Sequence, residues 1–138
     1  GMIITSDIGN IHDIHPKNKL DVGLRFANLA LSQVYAKDIK ASGPLFKLAE
    51  IDGNTVKIHF NNSEGLRTDP NNPASQFEIA GSDKTFFPAK ADIKKGTVYL
   101  RSAKVKEPVY VRFSWGNMAT SNLFNDAGLP ASSFTTEN

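Results

Sequence analysis

The chain has 138 residues, no cysteine and a formal charge of only +2. That length suits one ordinary domain, or a small domain with an appendage, and should bury roughly two-thirds of the unfolded chain's surface. Without thiols there is no disulfide framework, no thiolate metal site and no cysteine nucleophile, and lysines scattered without a basic stripe argue against a nucleic-acid partner.

No apolar run approaches the ~18 residues of a membrane span, so no membrane partner is expected. The opening Gly-Met-Ile-Ile-Thr has neither a basic region nor a long apolar stretch, and no signal peptide is expected in it. Met2 to Thr5 is apolar and β-branched, and predicts a short strand. It feeds the polar loop DIGNIHDIHPKNK, residues 7–19. Pro16 suits a first helical position, where its missing N–H has no intrahelical partner to lose. From there to about Ala36, Leu20, Leu24, Ala27, Leu31 and Val34 recur at helical spacing, with Phe26, Leu29 and Ala30 widening the stripe. This pattern predicts a helix with one broad buried face, leaving Arg25 and Gln33 on the wet side.

After Ser42-Gly43-Pro44 the period changes from helical to alternating. LFKLAEIDGNTVKIHF, residues 45–60, alternates on both sides of Asp52-Gly53-Asn54 and predicts a hairpin, since that turn needs residues tolerant of positive φ. Val56, Ile58 and Phe60 should face inward, opposite Thr55, Lys57 and His59. NNSEGLRTDPNNPAS, residues 61–75, reads as a long polar loop. QFEIAG, FFPAKADI and TVYLRS follow as short strands, with a turn at Lys94-Lys95-Gly96. PVYVRFSW gives the clearest strand, placing Val109, Val111, Phe113 and Trp115 on one face. The tail from Gly116 is irregular, with Leu123-Phe124 and Leu129-Pro130 as anchors. The expected fold is mainly β with one N-terminal helix, the helix docked on an antiparallel β-sandwich. A boundary near residue 40 separates 1–40 from 41–138.

Serine-type hydrolysis needs a nucleophile, a base and a group that orients the base. The loop offers His12 and His15 with Asp7 and Asp13 beside them. No Gly-x-Ser-x-Gly elbow accompanies them, and Gly81-Ser82-Asp83 has the wrong order and sits between strands. Taken alone, the loop is half of a site. A metal is not expected: His12 and His15 precede the helix, there is no His-Glu-x-x-His, and His59 lies far along the chain on a strand. Among the aromatics of the β part, Tyr99 and Tyr110 are the candidates for exposure. Phe113 and Trp115 read as core, which is the better default for the set.

GMIITSDIGNIHDIHPKNK, SGPLFK, FEIAGSDKTFFPAKADI, VYVRFSW and NLFNDAGLPASSFTT are further informative in their order along the chain. Together they resemble the C-terminal part of the sialate O-acetylesterase family, carbohydrate esterases with an SGNH-hydrolase catalytic domain. DIHPKNK and GLPASSFTT are the most telling blocks. The resemblance implies that His15, the His before Pro, is the catalytic base. It also implies a nucleophilic Ser in a block nearer the N-terminus, which has no counterpart in this sequence. The orienting acid of the SGNH pattern stands three residues before the His, where this chain has His12. Asp13 and Asp7 are the remaining candidates, with Asp13 preferred.

The chain is thus expected to be a C-terminal esterase fragment, 1–40 being the end of the catalytic domain and 41–138 a β-sandwich domain. It should be inactive alone and act on an O-acetylated sugar in the complete protein, with no cofactor. Its other partner would be the missing N-terminal esterase part or a second copy of itself. The resemblance suggests a periplasmic or extracellular setting. The alternative is a stand-alone β-sandwich that binds glycans or a protein without turnover.

Overall fold

A computed structural model describes residues 1–68 and 74–137; part of the predicted loop 61–75 therefore lies outside the described residues. One helix, α1 (Lys19–Gln33), precedes ten strands. The first pair, β1 (Leu45–Asp52) and β2 (Thr55–Asn61), forms the predicted hairpin, with Gly53 at φ 59° in its two-residue loop. A second tight hairpin joins β6 (Lys90–Lys94) to β7 (Thr97–Arg101). Its loop residues Lys95 and Gly96 both take positive φ, 48° and 76°, as a turn matching the right-handed twist of the flanking strands requires. The order β1-β2-β7-β6 makes one antiparallel sheet.

The second sheet runs β10-β8-β4-β5, from β4 (Phe77–Ala80), β5 (Phe87–Pro88), β8 (Tyr110–Phe113) and β10 (Phe134–Thr135). FFPAKADI is thus split between the two sheets, as β5 and β6. The supposedly irregular tail contributes β10 and also β9 (Leu123–Phe124), which pairs with β3 (Arg67–Thr68). The named anchors hold: Leu123 is fully buried and Leu129 nearly so.

Alternation puts Val56, Ile58 and Phe60 of β2 and Val98 and Leu100 of β7 against Phe77, Ile79, Val111 and Phe113 of the other sheet. Phe134 stacks on Phe46 at 4.5 Å between ring centroids, and Phe77 lies 4.4 Å from Phe113. Truncating a ring such as Phe113 to alanine should cost about 3–5 kcal/mol, because these rings have little room to collapse into. The protein is therefore mainly β, with an antiparallel sandwich and one N-terminal helix, as the sequence predicts.

Four local expectations are corrected. Met2 to Thr5 is no strand; it runs as irregular chain beside the helix. The helix starts later than Pro16, at Lys19, because Asn18 caps it: Asn18 Oδ1 accepts from the Asp21 N–H at 3.1 Å and Asn18 Nδ2 donates to the Asp21 carboxylate at 2.7 Å. The helix faces the rest of the chain with Arg25 and Leu29, both buried, while Leu20, Leu24, Leu31 and Val34 of the predicted stripe are exposed. Finally, Trp115 is half exposed instead of internal. Ser114 takes φ 48° and Gln76, hydrogen-bonded to it across the strand end, takes φ 66°. A left-handed residue breaks strand parity, so Ser114 is buried and Trp115 turns outward. Such a backbone costs of order 1–3 kcal/mol per non-glycine residue, and the Ser114 hydroxyl is buried with no partner among the described residues.

The connector between helix and sandwich is fixed at its C-terminal end. The Ser42 carbonyl accepts from Asn125 Nδ2 at 3.1 Å, and the Pro44 carbonyl from the Ser132 N–H at 3.1 Å. A Cβ on Gly43 would collide with the carbonyl of Pro130, so only glycine fits there.

Candidate active site

The loop between the irregular N-terminal stretch and α1 is built from short-range polar bonds. Asn10 Oδ1 accepts from the His12 N–H at 3.0 Å, and Asp13 Oδ1 accepts from the His15 N–H at 2.9 Å. These are the Asx-type closures that Asn and Asp provide in turns. The second one leaves the Asp13 carboxylate beside the His15 ring, with Oδ1 3.0 Å from Nδ1. Nδ1 is then the protonated nitrogen of the neutral ring, and Nε2 is left with its lone pair. The ring is open, with 83% of the side chain accessible. Both contacts from His15 hold the Asp13 carboxyl below the usual carboxylate value of 3.8, the backbone N–H more than the ring.

Asp7 is placed differently. Both of its oxygens accept from Arg25, Nη1 at 2.7 Å and Nη2 at 2.6 Å, and Nη1 also donates to the Ile4 carbonyl at 2.6 Å. Only about a tenth of either side chain is accessible. The hydrogen bonds it donates to Asp7 raise the Arg25 guanidinium still further above its ordinary value, ahead of the opposing effect of burial. This bidentate pair clamps the start of the loop to the helix. Arg25 was expected on the wet side; its burial corrects that reading. A charge within an amphipathic pattern looks solvated unless its partner is known, and the one available signal was that Arg25 stands four residues before the buried Leu29.

Asn125 is a second residue that sequence reasoning missed. It is fully buried, donates to the Ser42 and Asn62 carbonyls, and accepts from the Leu129 N–H at 3.0 Å. It fixes the connector that carries the helix and loop.

The remaining candidates fall elsewhere. His12 is exposed. Among the described residues no group of three His, Cys, Asp or Glu could hold a metal ion. His59 lies on the outer face of β2, 3.5 Å from the Glu50 carboxylate. Gly81-Ser82-Asp83 forms a turn after β4. Tyr99 and Tyr110 are half-buried, each with a lysine ammonium over its ring.

A carboxylate on Nδ1 and an open Nε2 are the arrangement that a histidine base of serine-type hydrolysis requires. No family model matches the chain, and no curated protein does. Among solved structures, the chain is similar in sequence and fold to a carbohydrate acetylesterase. That protein comes from Xanthomonas citri, and it matches at 40% identity and a TM-score of 0.89. The match covers 96% of this chain and 31% of that one, so this chain spans about a third of the relative's length. Among the described residues no helix is long and apolar enough to cross a membrane.

Proposed function

We propose that this chain is the base-bearing part of a sugar O-acetylesterase of the SGNH type. In this reading, residues 1–40 complete a catalytic domain whose serine nucleophile and oxyanion hole lie in polypeptide outside this sequence. Residues 41–138 form the β-sandwich beside it. The observation that carries the reading is the Asp13–His15 pair, 3.0 Å from carboxylate to Nδ1 with Nε2 open. The likeness to a carbohydrate acetylesterase supports it, as does the apolar helix face left exposed among the described residues.

In turnover, His15 Nε2 accepts the proton of the serine hydroxyl as its oxygen attacks the acetyl carbonyl. The same nitrogen returns a proton to the sugar oxygen as the ester bond breaks, and in the second half activates the water that releases acetate. Asp13 accepts from Nδ1–H, holds the tautomer and stabilises the imidazolium without taking its proton. Backbone donors in the absent part would hold the tetrahedral oxyanion. The substrate is an O-acetylated sugar; the sequence resemblance favours an O-acetylated sialic acid, met in the periplasm or outside the cell.

The test is to join or co-express this chain with the serine-bearing polypeptide of its own gene and measure acetate release from O-acetylated N-acetylneuraminic acid and from acetylated xylan. His15→Ala should lower kcat by up to ~10⁶-fold, as loss of the base does in a serine hydrolase. Full activity in that variant would overturn the proposal.

A further inference from the structure

The chain contains a single tryptophan, and beside it the fold holds two left-handed non-glycine residues, Ser114 and Gln76, and a buried Ser114 hydroxyl with no partner among the described residues. Strain of this kind persists where the displaced group has a use. Tyr99, Tyr110, Phe86 and Phe87, four half-buried rings of the β part, each carry a lysine or arginine over one face, at 4.0–5.7 Å from the ring centroid. Trp115 carries no such cation among the described residues, so its indole faces are not taken up in that way. Two amide residues close in the chain are exposed as well: Gln76, whose carbonyl accepts from the Ser114 N–H, and Asn117, two residues on.

We propose that Trp115 is a stacking platform for a pyranose ring, a sugar-binding subsite on the sandwich. The apolar face of a pyranose presents a patch of C–H bonds with slight positive charge, which suits the negative face of an indole. Its equatorial hydroxyls then project sideways, toward Gln76 and Asn117. An aromatic surface flanked by a few amides is the composition expected of a small-ligand site that selects a polyhydroxylated ring. The ligand class rests on the esterase reading; the platform itself does not need turnover. Met118, also exposed, widens the apolar ledge.

The chain's single tryptophan makes its fluorescence a direct report on this position. Titrating the chain with N-acetylneuraminic acid and with cellotriose should give a saturable change in emission for at least one of them, and glycerol should give none. In saturation-transfer NMR, Trp115→Ala should lose binding by at least tenfold while its circular dichroism stays native, and Trp115→Phe should keep part of it. Binding is read on the isolated chain, apart from any turnover, which separates failure of the platform from failure of the esterase reading. No saturable response to either sugar, or unchanged binding by Trp115→Ala, overturns the proposal. So does a Trp115→Ala chain whose only change is loss of self-association, for then the ring is a protein contact.

Discussion

One oxygen of Asp13 accepts from two donors of His15, the backbone N–H at 2.9 Å and the ring Nδ1 at 3.0 Å. The backbone bond fixes the carboxylate and the ring bond fixes the tautomer. In the assembled esterase, Asp13→Asn should therefore lower kcat by up to ~10⁴-fold, as loss of the orienting acid does in serine proteases. An amide at this position can present Nδ2 to the ring and favour the wrong tautomer. KM should change little, and steady-state kinetics would show the split. Near-full activity would remove Asp13 from the mechanism.

Asp7 should behave as a structural residue. Asp7→Asn leaves the buried Arg25 guanidinium without its counter-charge and should destabilise the loop–helix junction by about 3 kcal/mol, the scale for breaking a buried ion pair. Arg25→Met should cost at least as much, because it leaves the buried Asp7 carboxylate without either of its guanidinium donors. The double variant should be less destabilised than the sum of the single ones. Hydrogen exchange over residues 4–25 measures this; equal protection in Asp7→Asn would contradict the clamp.

Acid should loosen the connector through Asp126. Both of its oxygens accept from Lys40 Nζ, at 2.7 and 2.6 Å, and this bond holds the carboxyl below its ordinary 3.8. A folded-state value below the unfolded one means that the stabilisation is present above about pH 4 and disappears as pH falls through the lowered value. Lys40 is shifted upward by the same bond, so its share is lost only as pH rises through a value above 10.5. The stability difference between the native chain and Asp126→Asn should thus be flat from about pH 5 to 9 and vanish toward pH 2, small throughout because both groups are exposed. A difference that grows on acidification would refute the assignment.

The isolated chain should release no acetate from an O-acetylated sugar above background. On the proposed reading it offers a base without a nucleophile, and losing the serine alone costs about 10⁶-fold in a comparable enzyme. Robust hydrolysis abolished by His15→Ala would show that this sequence supplies its own nucleophile.

The exposed side of α1 should make the isolated chain self-associate. Leu20, Leu24, Leu31 and Val34 share one helical face and are all exposed, an apolar strip of the kind monomeric proteins seldom leave open. Sedimentation velocity should show concentration-dependent dimers or larger species, and Leu24→Lys with Leu31→Lys should return the chain to monomer. A strictly monomeric native chain would count against a covering partner.

What could be read from the sequence follows which forces are local. The two tight hairpins were legible because Gly53 and Lys95-Gly96 mark their turns, and the core strands because Val56, Ile58 and Phe60 alternate. The existence of the helix was legible from its period, yet its orientation was not: the period locates an apolar stripe without saying which molecule covers it. Trp115 was misplaced because a left-handed serine leaves no mark in composition. At the site, polar crowding drew attention to residues 7–15, and the resemblance singled out His15. The division of labour between Asp13 and Asp7 depended on Arg25, whose partner lies 18 positions away in the chain.

Gly43, pressed against Pro130, and Asn125, holding Ser42, attach the arm that bears His15 to the far end of the chain. The sandwich is therefore a mount and not a cargo. Exchanging it for a foreign domain at residue 40 would set the histidine adrift even with every loop residue kept. Any chimera that preserves its aim must carry residues 42–44 and 125–132 together, as one indivisible joint.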